Sequence, residues 1–198
     1  PGDILPSVKK IETKAGRLLV PTQVSLQYSK ELANEADILK LKLRDIYNIE
    51  VVDAAPISIR FNQLANDISK PSGEWDKLDI GKDQILIESI TAHGIFNGTQ
   101  TLLALLKGKE LRNELPCMTI TDYPDMQYRG FMIDVARNFT SASDLKKMID
   151  VLASYKLNVL HLHFSDDEGW RLQIPGLEEL TEVGGRRGES IPGIRWWF

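Results

Sequence analysis

Residues 128–171, YRGFMIDVARNFTSASDLKKMIDVLASYKLNVLHLHFSDDEGWR, restrict the possible folds of this chain more than any other stretch. Residues 131–136 are an almost wholly apolar run with one Asp inside it, the pattern of a strand buried on both faces of a parallel sheet. Ser141 or Ser143 then offers a capping hydroxyl to a segment in which Leu145, Met148, Ile149 and Leu152 recur at three- and four-residue spacing, the stripe of a helix lying on a sheet. Lys156 closes that helix. Residues 158–164, NVLHLHF, form a second apolar strand that delivers Ser165, Asp166 and Asp167 at its end. The three segments make one β-α-β unit, and a right-handed crossover makes its strands parallel.

Parallel strands bring Arg137 and Asp166, each just past the end of its own strand, to the same rim of the sheet. Chemistry in (β/α)8 barrels and open parallel sheets is carried on that rim, where the βα loops frame a crevice. A cation beside a carboxylate there either grips a polar ligand or staples two strands together, and the geometry leaves both open. His161 and His163 are two apart on a strand and share a face, as paired metal ligands can. A metal-dependent barrel hydrolase would need a further His or carboxylate from elsewhere, and the chain has three histidines in all. Packed, hydrogen-bonded histidines are the preferred expectation. Asp166, Asp167 and Glu168 do not read as a glycosidase pair, because neighbours leaving a strand point apart while a retaining pair converges at about 5 Å. Asp167 is expected to accept backbone N–H groups of its loop, and Asp134 to be a satisfied buried carboxylate.

Residues 1–123 read as a separate α+β domain. Segments 17–20 and 23–27 look like short strands broken by Pro21. A helix starting at Ser29 places Leu32, Ala36, Leu39, Leu43 and Ile46 on one face. Segments 49–52 and 57–61 are strand-like, 70–73 is a turn, and 78–80 with 84–88 form a hairpin about Gly81, Lys82 and Asp83. A second helix covers 94–107, with Gly98 allowing close approach to the sheet, and 118–120 adds a last strand. His93 stands alone at a helix start and is expected to be capping or solvated.

Bulk properties exclude several classes. A net charge of -4 argues against a nucleic-acid or anionic-membrane surface. There is no apolar run of spanning length and no leader pattern at the start, although a leader can be removed. One cysteine, Cys117, allows no internal disulfide, which leaves the cytoplasm and a bacterial periplasm both open. Asn97 and Asn138 match the glycosylation acceptor pattern but are not read as modified.

The arrangement RGxxxDxAR followed by KxNxLHxHxSDDxGWR resembles the opening of the catalytic barrel of the family 20 glycoside hydrolases, the β-N-acetylhexosaminidases. The likeness runs ungapped through residues 128–171 and on through PGLEELTEVGGRRG. Backwards it includes GIFNGTQTLLALL, which is similar to the helix closing the family's accessory domain. The resemblance implies an α+β accessory domain over 1–123, an antiparallel sheet with two helices, followed over 124–198 by the first two β/α units of a (β/α)8 TIM barrel. It implies that Arg137 holds vicinal hydroxyls of a terminal amino sugar, a task suited to a rigid fork of donors. It implies that Asp166 orients a histidine beside the catalytic acid, and that Trp170 and Arg171 give structural support.

The reaction implied removes a terminal β-linked N-acetylglucosamine or N-acetylgalactosamine with retention. The sugar's own acetamido oxygen attacks the anomeric carbon, an Asp steadies that group and the adjacent Glu protonates the departing oxygen. No cofactor or metal is implied. The partners implied are β-linked N-acetylhexosamine glycans or chitooligosaccharides, and a secreted or periplasmic location is favoured. The family's Asp-Glu pair, in a HxGGDE-like segment, and its aromatic sugar pocket do not occur among the 198 residues. The expectation is therefore an inactive piece of a longer enzyme, prone to self-association through unpartnered strands and through Trp196, Trp197 and Phe198. The alternative is a naturally short, non-catalytic module that binds carbohydrate or protein.

Overall fold

A computed structural model describes residues 4–65, 67, 69–107, 114–166 and 169–186. Expectations for Asp167, Glu168, Trp196, Trp197 and Phe198 lie outside the described residues. Two compact units divide the chain, Pro1–Gln127 with Ser154–Lys156, and Tyr128–Ala153 with Leu157–Phe198.

The first unit runs β1 (Lys10–Leu19), β2 (Gln23–Gln27), a short 3-10 turn (Lys30–Leu32), α1 (Ala33–Tyr47), β3 (Glu50–Val51), β4 (Ser58–Gln63), β5 (Asp76–Ile80), β6 (Gln84–Ser89), α2 (Ala92–Lys107) and β7 (Glu114–Asp122). Its strands form one seven-stranded sheet in the order β1-β7-β5-β6-β4-β2-β3. The sheet is mixed, which corrects the antiparallel expectation: β2 pairs parallel with β3 and β4, and β4 pairs parallel with β6. Period-2 burial is the same for either direction, so alternation in the sequence cannot tell them apart. A second correction concerns β1, a ten-residue strand where only 17–20 was expected. As an edge strand it is exposed at nearly every position and carries no alternation to read, and its pairing shifts near Gly16, whose φ is 109°.

The core lies where α1 and α2 cover the sheet. Leu32, Ala36, Leu39 and Leu43 of the first helical segment belong to one buried cluster with Ile59, Leu78, Ile80, Ile87 and Ile120. Each leucine and isoleucine among them contributes roughly 1.5–3 kcal/mol of burial. Ile46, expected on that face, is exposed instead, because the helix ends at Tyr47 and Asn48 turns the chain away in the left-handed region. Thr91 caps α2, its Oγ1 accepting the Gly94 N–H at 3.1 Å. Gly98 makes the close approach foreseen for it, since a β-carbon there would stand 2.7 Å from Ile87. Asn97 is buried and its amide donates to Glu74, so it offers no acceptor site for a glycan. Among the described residues no helix is long and apolar enough to cross a membrane.

The second unit contains β8 (Gly130–Asp134), α3 (Ala142–Ser154, its last residue grouping with the first unit), β9 (Val159–His163) and α4 (Glu179–Glu182). The pair β8 and β9 is parallel, as the β-α-β reading required, with Gly130 opposite Val159 and Asp134 opposite His163. Ser141 rather than Ser143 caps α3: its Oγ accepts the Asp144 N–H at 3.1 Å and donates to the Asp144 carboxylate at 2.7 Å. The helix closes where Lys156 adopts a positive φ of 58°. Three details differ from expectation. Ile149, read into the stripe of α3 that lies on a sheet, is exposed, and among the described residues no side chain of that helix is fully buried. β8 ends at Asp134, with Val135 and Ala136 already turning, and Phe131 and Met132 are exposed among the described residues rather than covered on both sides.

Candidate functional site

The end of β8 is built around Asp134. Its Oδ1 accepts the backbone N–H groups of Ala136 at 3.0 Å and Arg137 at 2.9 Å, folding the chain back on itself directly after the strand. The same turn is tied to β9, because the N–H groups of Val135 and Ala136 both donate to the His163 carbonyl, at 3.1 and 3.3 Å. Arg137 therefore leaves the turn pointed at the neighbouring strand end. Its Nη1 lies 3.2 Å from Asp134 Oδ2, and its Nη2 pairs with Asp166 Oδ2. His163 completes the group, with Nε2 at 3.0 Å from that same Asp166 oxygen.

The two residues expected to share a rim are thus in contact. Arg137 is the exposed member, its side chain 63% accessible, while Asp134 and Asp166 are only 23% and 20% accessible. Two part-buried carboxylates therefore orient one outward-facing guanidinium, whose planar fork suits vicinal hydroxyls or another pair of acceptors. Asp134 was expected to be a satisfied buried carboxylate; it is satisfied, but part-buried, at the strand end and as organiser of the turn. That role was not expected from the sequence, and the Asp-x-x-Arg spacing is the signal that could have shown it. Among the described residues, Asp134, His163 and Asp166 place one ligand atom each within 4.8 Å of one another, a group that could hold a metal ion. Arg137 already sits on both carboxylates, so a cation there would meet a positive charge. Among the described residues His161 is not in the group, and it is exposed rather than packed as was expected of it. In the first unit, His93 lies 3.4 Å from Glu74 while Thr91 does the capping.

Arg171, beyond β9, bonds to the same turn. Arg171 donates from Nε to the Val135 carbonyl at 3.0 Å, from Nη2 to that of Ala136 at 3.0 Å, and from Nη1 to that of Gly185 at 2.6 Å. Gly169 makes room for this: its φ is 89°, and a β-carbon there would meet the Ala136 carbonyl at 2.5 Å and Arg171 Nη2 at 2.7 Å. Trp170 donates its indole N–H to the Leu172 carbonyl.

An α+β unit followed by a parallel β-α-β unit with a charged cluster at its strand ends is the architecture of an α/β protein. Comparison with known proteins narrows the class. The family model described as glycosyl hydrolase family 20, domain 2 matches residues 2–123, and that of the family's catalytic domain matches residues 126–193. The chain belongs to glycosyl hydrolase family 20. It is 35% identical over 93% of its length to an N,N'-diacetylchitobiase of Vibrio harveyi and 33% identical over 95% to a beta-hexosaminidase of Vibrio vulnificus, spanning 21% of each. Among solved structures, it resembles a GH20 exo beta-N-acetylglucosaminidase from Vibrio harveyi in complex with N-acetylglucosamine (TM-score 0.75, 34% identity, 91% of this chain and 28% of that one). It also resembles a beta-N-acetylhexosaminidase from Bacteroides fragilis (TM-score 0.76, 27% identity, 91% and 37%). The chain spans about a fifth of the length of those two curated Vibrio relatives.

Proposed function

We propose that residues 1–123 are the accessory domain, and 124–198 the first two β/α units of the (β/α)8 catalytic domain, of a retaining, substrate-assisted exo-β-N-acetylhexosaminidase. Its substrates are glycans or chitooligosaccharides ending in β-linked N-acetylglucosamine or N-acetylgalactosamine. Arg137 grips vicinal hydroxyls of the terminal sugar, and Asp166 is the carboxylate that holds a histidine in line with the acid. The observation that carries this reading is the Arg137–Asp166 pair at one strand-end mouth, with Asp134 and His163 orienting it. The acid and the acetamido-steadying Asp are not supplied by these 198 residues.

The 198-residue chain is accordingly expected to release no chromophore from a chromogenic N-acetylglucosaminide, yet to show N-acetylglucosamine-dependent NMR shifts at the His163 and Asp166 backbone amides, beside Arg137, that vanish in Arg137→Met. In a longer polypeptide joining this segment to an Asp-Glu pair, the same substitution should lower kcat/KM by about 10²-fold, the worth of one or two charge-assisted hydrogen bonds. Turnover by the short chain, or an unchanged kcat/KM in the longer variant, would sink the assignment.

Self-association belongs to the same proposal. β8 and β9 pair only with each other among the described residues, and Phe131, Met132, Ile149 and Val151 are between 42% and 56% exposed. Open sheet edges beside apolar area favour association. Light scattering of the 198-residue chain should give an apparent mass that rises with concentration. A constant monomer mass would count against it.

A further inference from the structure

We infer that Arg171 is a positioning residue for Arg137, setting where the sugar-gripping guanidinium stands relative to Asp166. The inference rests on the reading of Arg137 and Asp166 as a sugar grip. The turn 135–137 is held on its N–H side by the His163 carbonyl and by Asp134. On its carbonyl side it is held by Arg171, whose Nε and Nη2 span the successive carbonyls of Val135 and Ala136, the two residues directly before Arg137. The backbone N–H of Arg171 donates to the Phe164 carbonyl at 3.0 Å, just past β9 and two residues before Asp166. One side chain therefore references the turn that carries the guanidinium to the strand that carries its carboxylate.

The chemistry requires an arginine. Three donors in one plane reach three carbonyls, of Val135, Ala136 and Gly185, whereas an ammonium offers a single point that cannot span two successive peptide oxygens and a third from another segment. Val135 and Ala136 are buried, so carbonyls left without a donor there would move to find one. The turn would shift, and Arg137 with it. The Phe139 ring, 5.4 Å from the Arg171 guanidinium carbon, lies over the same fork. Gly169 leaves the space through which Nη2 reaches the Ala136 carbonyl.

The test uses the 198-residue chain labelled with ¹⁵N, reading the Arg137 Nη–H signals, those of the nitrogens that face Asp134 and Asp166, and their exchange with water alongside thermal stability. In Arg171→Lys the Arg137 signal is expected to shift and its exchange to rise about tenfold, the change that loss of one such hydrogen bond corresponds to. Arg171→Gln, which keeps a planar donor, should fall between. Lowered stability with the Arg137 signal and exchange as in the wild type would make Arg171 merely structural and overturn the inference. Should neither variant fold, the wild type is read in guanidinium chloride below its unfolding transition. There the Arg171 and Arg137 signals should lose protection together, and loss at Arg171 alone overturns the inference. N-acetylglucosamine is added separately: no shift at Arg137 in the wild type defeats the sugar grip while leaving the coupling to Arg171 standing.

Discussion

Replacing Lys156 with methionine is expected to destabilise the first unit by about 3–5 kcal/mol, the usual cost of removing one partner from a buried ion pair. Lys156 groups with that unit, where its ammonium lies 2.7 Å from Asp122 and 3.8 Å from Asp76. All three side chains are less than a tenth exposed. Methionine keeps the apolar stem but leaves the buried Asp122 carboxylate without its cation, Asp76 being held towards its neutral form, and taking an unpaired charge out of water is far more costly than forming an exposed pair is rewarding. Urea unfolding followed by a probe in the first unit gives the number. A loss below about 1 kcal/mol, the range of an exposed salt bridge, would mean that water reaches the group and that the burial argument fails.

Asp76→Asn is expected to remove a pH dependence of stability running opposite to the one most carboxylates give. Burial pushes Asp76 up to about 7, against the pull of Lys156 and with the help of Asp122, and its Oδ1 has no hydrogen-bond partner among the described residues. The folded value lies above the unfolded one, so folding takes up a proton between about pH 4 and pH 7. Stability from this group is full below about pH 4, falls as pH rises through that window and is flat above it, a total of up to about 4 kcal/mol. Exposed carboxylates whose values are lowered, such as Asp144 beside Lys147 and Ser141, act the other way but lose their contribution at more acid pH. Comparing wild type with Asp76→Asn between pH 5 and pH 8 therefore isolates the group. The wild type should lose stability across that interval and the variant should not, ending the more stable of the two at pH 8. Parallel profiles would show that Asp76 is ionised throughout.

These two predictions rest on a pairing that sequence reading did not find, although it named Lys156 as the end of a helix, and the reason is physical. Asp122 and Lys156 are 34 positions apart, and each alone looks like an ordinary solvated charge. Arg171 was read as mere support because its partners are backbone carbonyls, which every residue has and no residue type advertises. β1 was cut short because an exposed edge strand has no buried face to impose alternation.

What residues 128–171 determined unaided was the β-α-β unit and the meeting of Arg137 with Asp166. Helix and strand periods, a serine cap and parallel connection are local matters, written over a few neighbouring positions. Tertiary structure alone decided the mixed order of the seven-stranded sheet, the burial of the Asp76, Asp122 and Lys156 group, and the grip of Arg171 on the turn before Arg137. Each depends on distant segments coming together to exclude water, and the energy of a charge or a carbonyl is set by that exclusion rather than by the residues beside it in the chain.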